Sequence, residues 1–146
     1  LNGIIAGPII KNQKDITKNI FETSNLKYLG KINSKSKENF FNQIDLLLFP
    51  STLSEAEPLV ILECMLRGIP VIAIKRGYIN EILYNKRGFV FNESEYINRT
   101  VKIIISFINE KLSINYFSRM CLSQSNNMNT INQKNFNKII KYIDGK

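Results

Sequence analysis

Over the first ninety or so residues, short apolar runs alternate with longer stretches in which apolar and polar positions are mixed. The runs are Gly3–Ala6, Lys27–Leu29, Asp45–Phe49, Pro70–Ile74 and Gly88–Val90. They are β-branched or leucine-rich and bounded by Gly, Pro or Asn, which predicts strands. The mixed stretches, about 14–23, 35–43, 58–67 and 79–84, predict helices. Strand–helix alternation at this spacing predicts βαβ units and an α/β fold, a Rossmann-like parallel sheet flanked by helices. The last third reads helical, at about 94–110, 113–123 and 130–143. The last of these carries Ile131, Phe136, Ile139, Ile140 and Ile143 on an approximate face, after an Asn-rich loop, SNNMNT. There is no internal repeat and no long linker, so the expectation is one domain over 1–146 with a mainly helical tail over 94–146.

In open parallel sheets, ligands bind beyond the carboxyl ends of the strands. The segments that follow such ends are GPIIKN, GKINSKS, PSTLSEAEP and KRGYINE. A site is expected from these loops.

Composition narrows the classes. With 146 residues, 44% of them apolar and 22% charged, the chain buries a core and is not a disordered polymer. No apolar run reaches the roughly 18 residues of a membrane span, and no signal-peptide pattern opens the sequence, so the expectation is a cytoplasmic protein. The absence of histidine excludes histidine-based triads and metal sites. Cys64 and Cys121 fit no metal or redox spacing, and Cys64 reads as a small buried hydrophobe. The net charge of +8 is compatible with nucleic acid, an anionic membrane or a phosphorylated ligand. In a chain this rich in Ile, Lys and Asn, charge alone marks no specific partner. The chain opens on Leu1 at a strand-like segment, which leads us to expect a piece of a longer protein.

The stretch STLSEAEPLVILECMLRGIPVIA, residues 51–73, holds the candidate chemistry. Pro58 suits the first turn of a helix, because the donor it lacks would be unsatisfied there. Glu55 and Glu57 lie just ahead, where the helix dipole favours negative charge. Leu59, Leu62, Leu66 and Ile69 follow one helical stripe with Glu63 beside it, and Val60, Ile61, Cys64 and Met65 predict a helix buried nearly all round. A buried carboxylate lacking partners costs on the order of several kcal/mol. Either Arg67, four residues on, partners Glu63, or a ligand presents hydroxyl donors to it. Glu63 lies about 7 Å along the axis from Pro58. A helix N-terminus suits a phosphate and an acid further along suits a ribose, so a nucleoside diphosphate lying along this helix would use both.

The run from Asp45 to Leu83 resembles the C-terminal, donor-binding domain of retaining glycosyltransferases of family 4, which have the GT-B fold. The family pattern is two acids eight apart after "PS", then E-A-M-x-x-G-x-P-V-I-A, then a glycine-containing turn and a third acid. Here these are Glu55 and Glu63, ECMLRGIPVIA, Gly77 and Glu81. IIAGP and LKYLGKI resemble the earlier strands and turns, so the likeness covers roughly residues 3 to 91. It implies that Glu63 binds the ribose and that Glu55 orients the transferred sugar. The backbone from Glu57 through Pro58 and Leu59 to Val60 would lie near sugar and phosphates, and Lys31 and Ile32 would border the base. Arg76 and Gly77, in the turn after the fourth strand, count among the donor-binding candidates, and the two cations there, Lys75 and Arg76, either meet the diphosphate or are merely solvated.

The implied reaction retains configuration, with the leaving diphosphate assisting attack, and requires no metal or other cofactor. Its partners would be a nucleotide sugar and a glycan or lipid-linked acceptor, the latter through an N-terminal domain not in this chain. Docking on an anionic membrane from the cytoplasmic side is compatible, and nucleic acid is not favoured. Two departures stand out: Ala56-Glu57-Pro58 replaces the usual Gly-aromatic-Gly, and Lys75-Arg76-Gly77 replaces paired glycines. The basic pair and strand that normally precede IIAGP are also not in this chain. One alternative keeps the fold, as a nucleotide-sugar epimerase or a glycan phosphorylase. The other is a basic nucleic-acid or membrane module, with Tyr78, Tyr84, Phe89 and Phe91 set among Lys75, Arg76, Lys86 and Arg87.

Overall fold

The computed structural model describes residues 1–8, 25–53, 58–123 and 126. The chain divides into two compact units, Leu1–Ile44 and Asp45–Lys146.

In the first unit, β1 (Gly3–Ala6) pairs in parallel with β2 (Leu26–Gly30), with a register shift between Ile5 and Ala6. The Tyr28 hydroxyl donates to the Gly7 carbonyl at 2.6 Å, and the Gly7 amide donates to Gly30 at 2.9 Å, so the two strand ends are fastened together. Asn33 then starts α1 (Ser34–Phe41) with a capping box. Its Oδ1 accepts from the Lys35 and Ser36 amides, both at 3.0 Å, and Ser36 Oγ accepts from the Asn33 amide at 3.2 Å. The helix buries Phe40 and Phe41. The helix predicted over 14–23 lies outside the described residues.

In the second unit, β3 (Leu47–Phe49), β4 (Val71–Ile74) and β5 (Gly88–Phe91) form a parallel sheet in the order β3-β4-β5. All four residues of β4 are buried, as a central strand covered on both faces requires. Helices α2 (Leu59–Leu66) and α4 (Glu93–Ile108) both pack on it, and α3 (Ile79–Ile82) is a single turn between β4 and β5. Ile72 and Ile74 form a core with Tyr96 of α4, joined by Leu46, Phe89, Phe91 and Ile103. The Tyr96 hydroxyl donates to the Ile72 carbonyl at 3.2 Å, which ties helix to strand. Residues 114–123 form a further helix, α5, whose Phe117 ring lies 4.8 Å from that of Phe89 and 5.8 Å from that of Phe107. Strands β4 and β5 approach so closely that a Cβ on Gly88 would lie 2.2 Å from the Val71 carbonyl oxygen.

Helix α2 ends in a Schellman motif. The Gly68 amide donates to Met65 at 3.1 Å and the Ile69 amide to Cys64 at 2.9 Å, with Gly68 at φ +70°. A Cβ on Gly68 would meet Ser118 Oγ of α5 at 2.7 Å, so the position excludes side chains for both conformation and space.

Every predicted strand and helix within the described residues is present, with ends shifted by at most two residues. The parallel strands form two ladders among the described residues, β1–β2 and β3–β4–β5. Two expectations are corrected. First, α2 is not buried all round. Its buried stripe is Ile61, Cys64 and Met65, whereas Leu59 and Leu66 are 67% and 53% exposed. The stripe sits on a different side of the helix from the one expected, because a helix apolar at nearly every position carries no phase of its own. Second, Pro58 is the N-cap in an extended conformation (ψ 104°) rather than a residue of the first turn.

Candidate functional site

The loops that follow β3, β4 and β5, together with the start of α2, make up the described part of the candidate site in the second unit. Pro50 to Leu53 leave β3, Lys75 to Gly77 leave β4, and Asn92 leads from β5 into α4. Arg76 joins all three. Its Nε donates to the Thr52 carbonyl at 3.2 Å, its Nη1 to the Lys75 carbonyl at 3.0 Å, and its Nη2 pairs with Glu93 Oε2. Gly77 follows at φ +46°, a conformation suited to glycine.

At the head of α2, Pro58 is buried and makes no side-chain cap, and the first turn holds no acid. Leu59 is exposed and Val60 half-buried. Glu63 is half-buried on the same helix with its Oε2 sealed from solvent. Arg67 reaches back one turn and donates from Nη1 to the Glu63 carbonyl at 3.0 Å. A carboxylate in such a setting is an acceptor, suited to hydroxyl donors. Glu81, the third acid of the motif, lies exposed in the first turn of α3. Glu55 and Glu57 lie outside the described residues.

Both cysteines behave as buried hydrophobes. Burial pushes the Cys64 thiol up to about 12, against a partial offset from the Arg67 charge, with a further rise from Glu63 and Cys121. Burial likewise pushes Cys121 up to about 11, the Arg87 charge offsetting part of it, and its thiol donates to the Arg87 carbonyl at 3.2 Å. Neither is poised as a nucleophile. The Tyr96 hydroxyl is also raised by burial, partly offset by the Thr100 hydroxyl and the Phe49 backbone.

In the first unit, Lys31 is exposed and Ile32 half-buried in the turn between β2 and the Asn33 cap. Ile32 lines a groove of about 320 Å³ with Lys27, Leu29, Ser36, Asn39, Phe40 and Gln43.

The aromatic and cationic residues of the basic-module alternative are dispersed. Phe89 and Phe91 pack against each other, Phe89 against α4 and α5, and both against the core. Arg87 donates to the Ile82 carbonyl at 2.8 Å, and the Lys86 ammonium lies 5.7 Å from the Tyr116 ring centroid. Tyr84 is 71% exposed and lies two residues beyond the end of α3. Sequence reasoning missed Thr52 and Glu93. The available signal for Glu93 was an acid opening the helix after β5, at the strand end where the cationic turn also lies.

The family profile described as glycosyl transferases group 1 matches residues 1–122. No curated protein matches the chain. Among solved structures, HepE of Anabaena in complex with UDP is similar at 24% identity and a TM-score of 0.67, over 97% of this chain and 41% of that one. HepE with UDP-glucose gives 22% identity and a TM-score of 0.70, over 96% and 41% of the two chains. Sucrose-phosphate synthase from Thermosynechococcus elongatus gives 16% and 0.60, over 92% and 38%. The chain thus spans about two fifths of the length of these structures, and the likeness establishes a shared α/β fold of GT-B type.

Proposed function

Because this chain belongs to the group 1 glycosyl transferases, we propose that it is the donor-binding part of a retaining glycosyltransferase. It takes a sugar from a nucleotide sugar, and the acceptor, a glycan or a lipid-linked glycan, is held by the rest of a longer protein. A hexose is the sugar we favour, with a surface polysaccharide as the product, made on the cytoplasmic side of the membrane. No helix among the described residues is long and apolar enough to cross a membrane.

The observation that carries the reading is the gathering of three loops and the α2 N-terminus at the carboxyl end of one parallel sheet, with Glu63 along the same helix. In this reading the first-turn amides of α2 face the phosphates. Glu63 accepts from the ribose hydroxyls, Glu55 orients the sugar, and Lys31 and Ile32 border the base. The chain's task is orientation and support of charge on the leaving diphosphate. No protein carboxylate is asked to act as a nucleophile, and the proposed transfer uses no metal.

The test is ligand-observed NMR on the chain with UDP, GDP and ADP in competition, repeated with Glu63→Ala. We expect one nucleotide to bind selectively and the variant to weaken it by about tenfold or more, the scale of losing hydrogen bonds to a charged acceptor. Equal binding of all three that survives the substitution would sink the reading.

A further inference from the structure

Meeting a diphosphate is one of the two expectations for Arg76, but all three of its guanidinium nitrogens already donate to protein oxygens. Those oxygens belong to Thr52 after β3, Lys75 after β4 and Glu93 at the start of α4. The side chain is 34% exposed, so two thirds of it is covered by these neighbours. To reach a phosphate it would have to leave Glu93, whose carboxylate is itself favoured in the first turn of a helix. A planar fork that bridges a carbonyl and a carboxylate is a role lysine's point charge does not reproduce.

We propose that Arg76 is a positioning residue of the donor site and not a phosphate ligand. With Glu93 as its anchor, it fixes the Thr52 carbonyl, and so the course of the chain three residues ahead of Glu55. This deepens the donor-site reading and rests on it only for the nucleotide arm of the test below. The site thereby acquires a part that sequence motifs do not contain, an arginine–glutamate tie across the ends of three parallel strands. Glu93 and Thr52 belong to the machinery through Arg76, without touching substrate.

Two variants separate the roles because the roles predict different outcomes for each. If Arg76 holds the loop, Glu93→Gln loosens it and weakens UDP binding by about three- to tenfold. If Arg76 serves the diphosphate, Glu93→Gln releases the cation and tightens binding. Arg76→Lys sharpens the contrast: a positioning role predicts that it resembles Arg76→Ala, and a charge role predicts near-native affinity.

A second readout needs no ligand. The Thr52 carbonyl and the Leu53 amide share one peptide unit, so losing the bond from Arg76 moves the Leu53 nitrogen resonance and lowers its order parameter. We expect that change in all three variants. Tighter UDP binding by Glu93→Gln, native affinity in Arg76→Lys, or an unmoved Leu53 resonance would each overturn the proposal. If the native chain binds no UDP, the donor reading fails for that nucleotide while the Leu53 resonance still decides the role of Arg76.

Discussion

Helices α2 and α4 pack on the same strand, β4, yet their N-termini are finished in different ways. The first turn of α4 carries Glu93 and Glu95, and Glu95 pairs with Arg99 at 3.2 Å and accepts from the Asn92 side-chain Nδ2 at 3.2 Å. Its dipole is therefore answered from within the chain. The first turn of α2 carries no acid, and its cap is a proline that offers no side-chain hydrogen bond. Its beginning is set by the stiffness of Pro58 and its end by the left-handed Gly68. Neither N-cap side chain bonds a terminal amide, so the two helix starts differ in charge: acids already sit in the first turn of α4 and none sits in that of α2. An acid-free first turn is the one that suits an anionic guest, which is the role proposed above for α2.

The largest expected effect is in the core between β4 and α4. Ile72 is fully buried beneath Tyr96, and Ile72→Ala should cost about 2–5 kcal/mol in chemical denaturation. If α2 and α4 belong to one cooperative unit, near- and far-ultraviolet transitions will shift together. Separate midpoints would show that the helices fail independently.

A middle-sized effect lies on the buried side of α2. In the folded protein both thiols titrate above their unfolded value of 9.0, at about 12 for Cys64 and about 11 for Cys121. Above pH 9 the unfolded chain sheds these protons first. The stability present below that pH is therefore lost as the pH rises toward 11 to 12. At pH 10 the loss should be on the order of 1 kcal/mol per thiol, and Cys64→Ala should flatten the decline. A curve of unchanged slope would contradict the burial of Cys64.

The smallest effect converts α2 into a helix of the α4 kind. Leu59 is exposed, so Leu59→Glu places an acid in the first turn at little packing cost. We expect about 0.3–1 kcal/mol of added stability with weaker nucleotide binding. Gained stability with unaltered binding would mean that the phosphates do not sit at this terminus.

Much of this was legible in the chain itself. Short apolar runs bounded by Gly, Pro and Asn predict β1 to β5 because strands and turns are local matters. Gly68 and Pro70 in the run RGIP mark the passage from α2 to β4, since few residues other than glycine take the left-handed turn there. The phase of α2 was not legible, because with apolar residues at nearly every position, contact with β4 alone decides which side is inside. Pairing also lay beyond local reading, since alternation predicts parallel strands but not which neighbours share a ladder. The tie from Arg76 to Glu93 spans 17 residues and exists only where two strands bring their ends together. The motif drew attention to Arg76, but a motif carries positions and not partners.

The contact of Gly68 with Ser118 and Leu122 has a practical consequence. Gly68 precedes β4 and Arg87 precedes β5, and α5 touches both, so that helix lies across the amino ends of the strands. The loops around Arg76 gather at the other ends. α5 is thus a handle: with Leu122 40% exposed, a dye or a surface linkage fixed there would attach at the opposite end of the β3–β4–β5 sheet from the loops around Arg76.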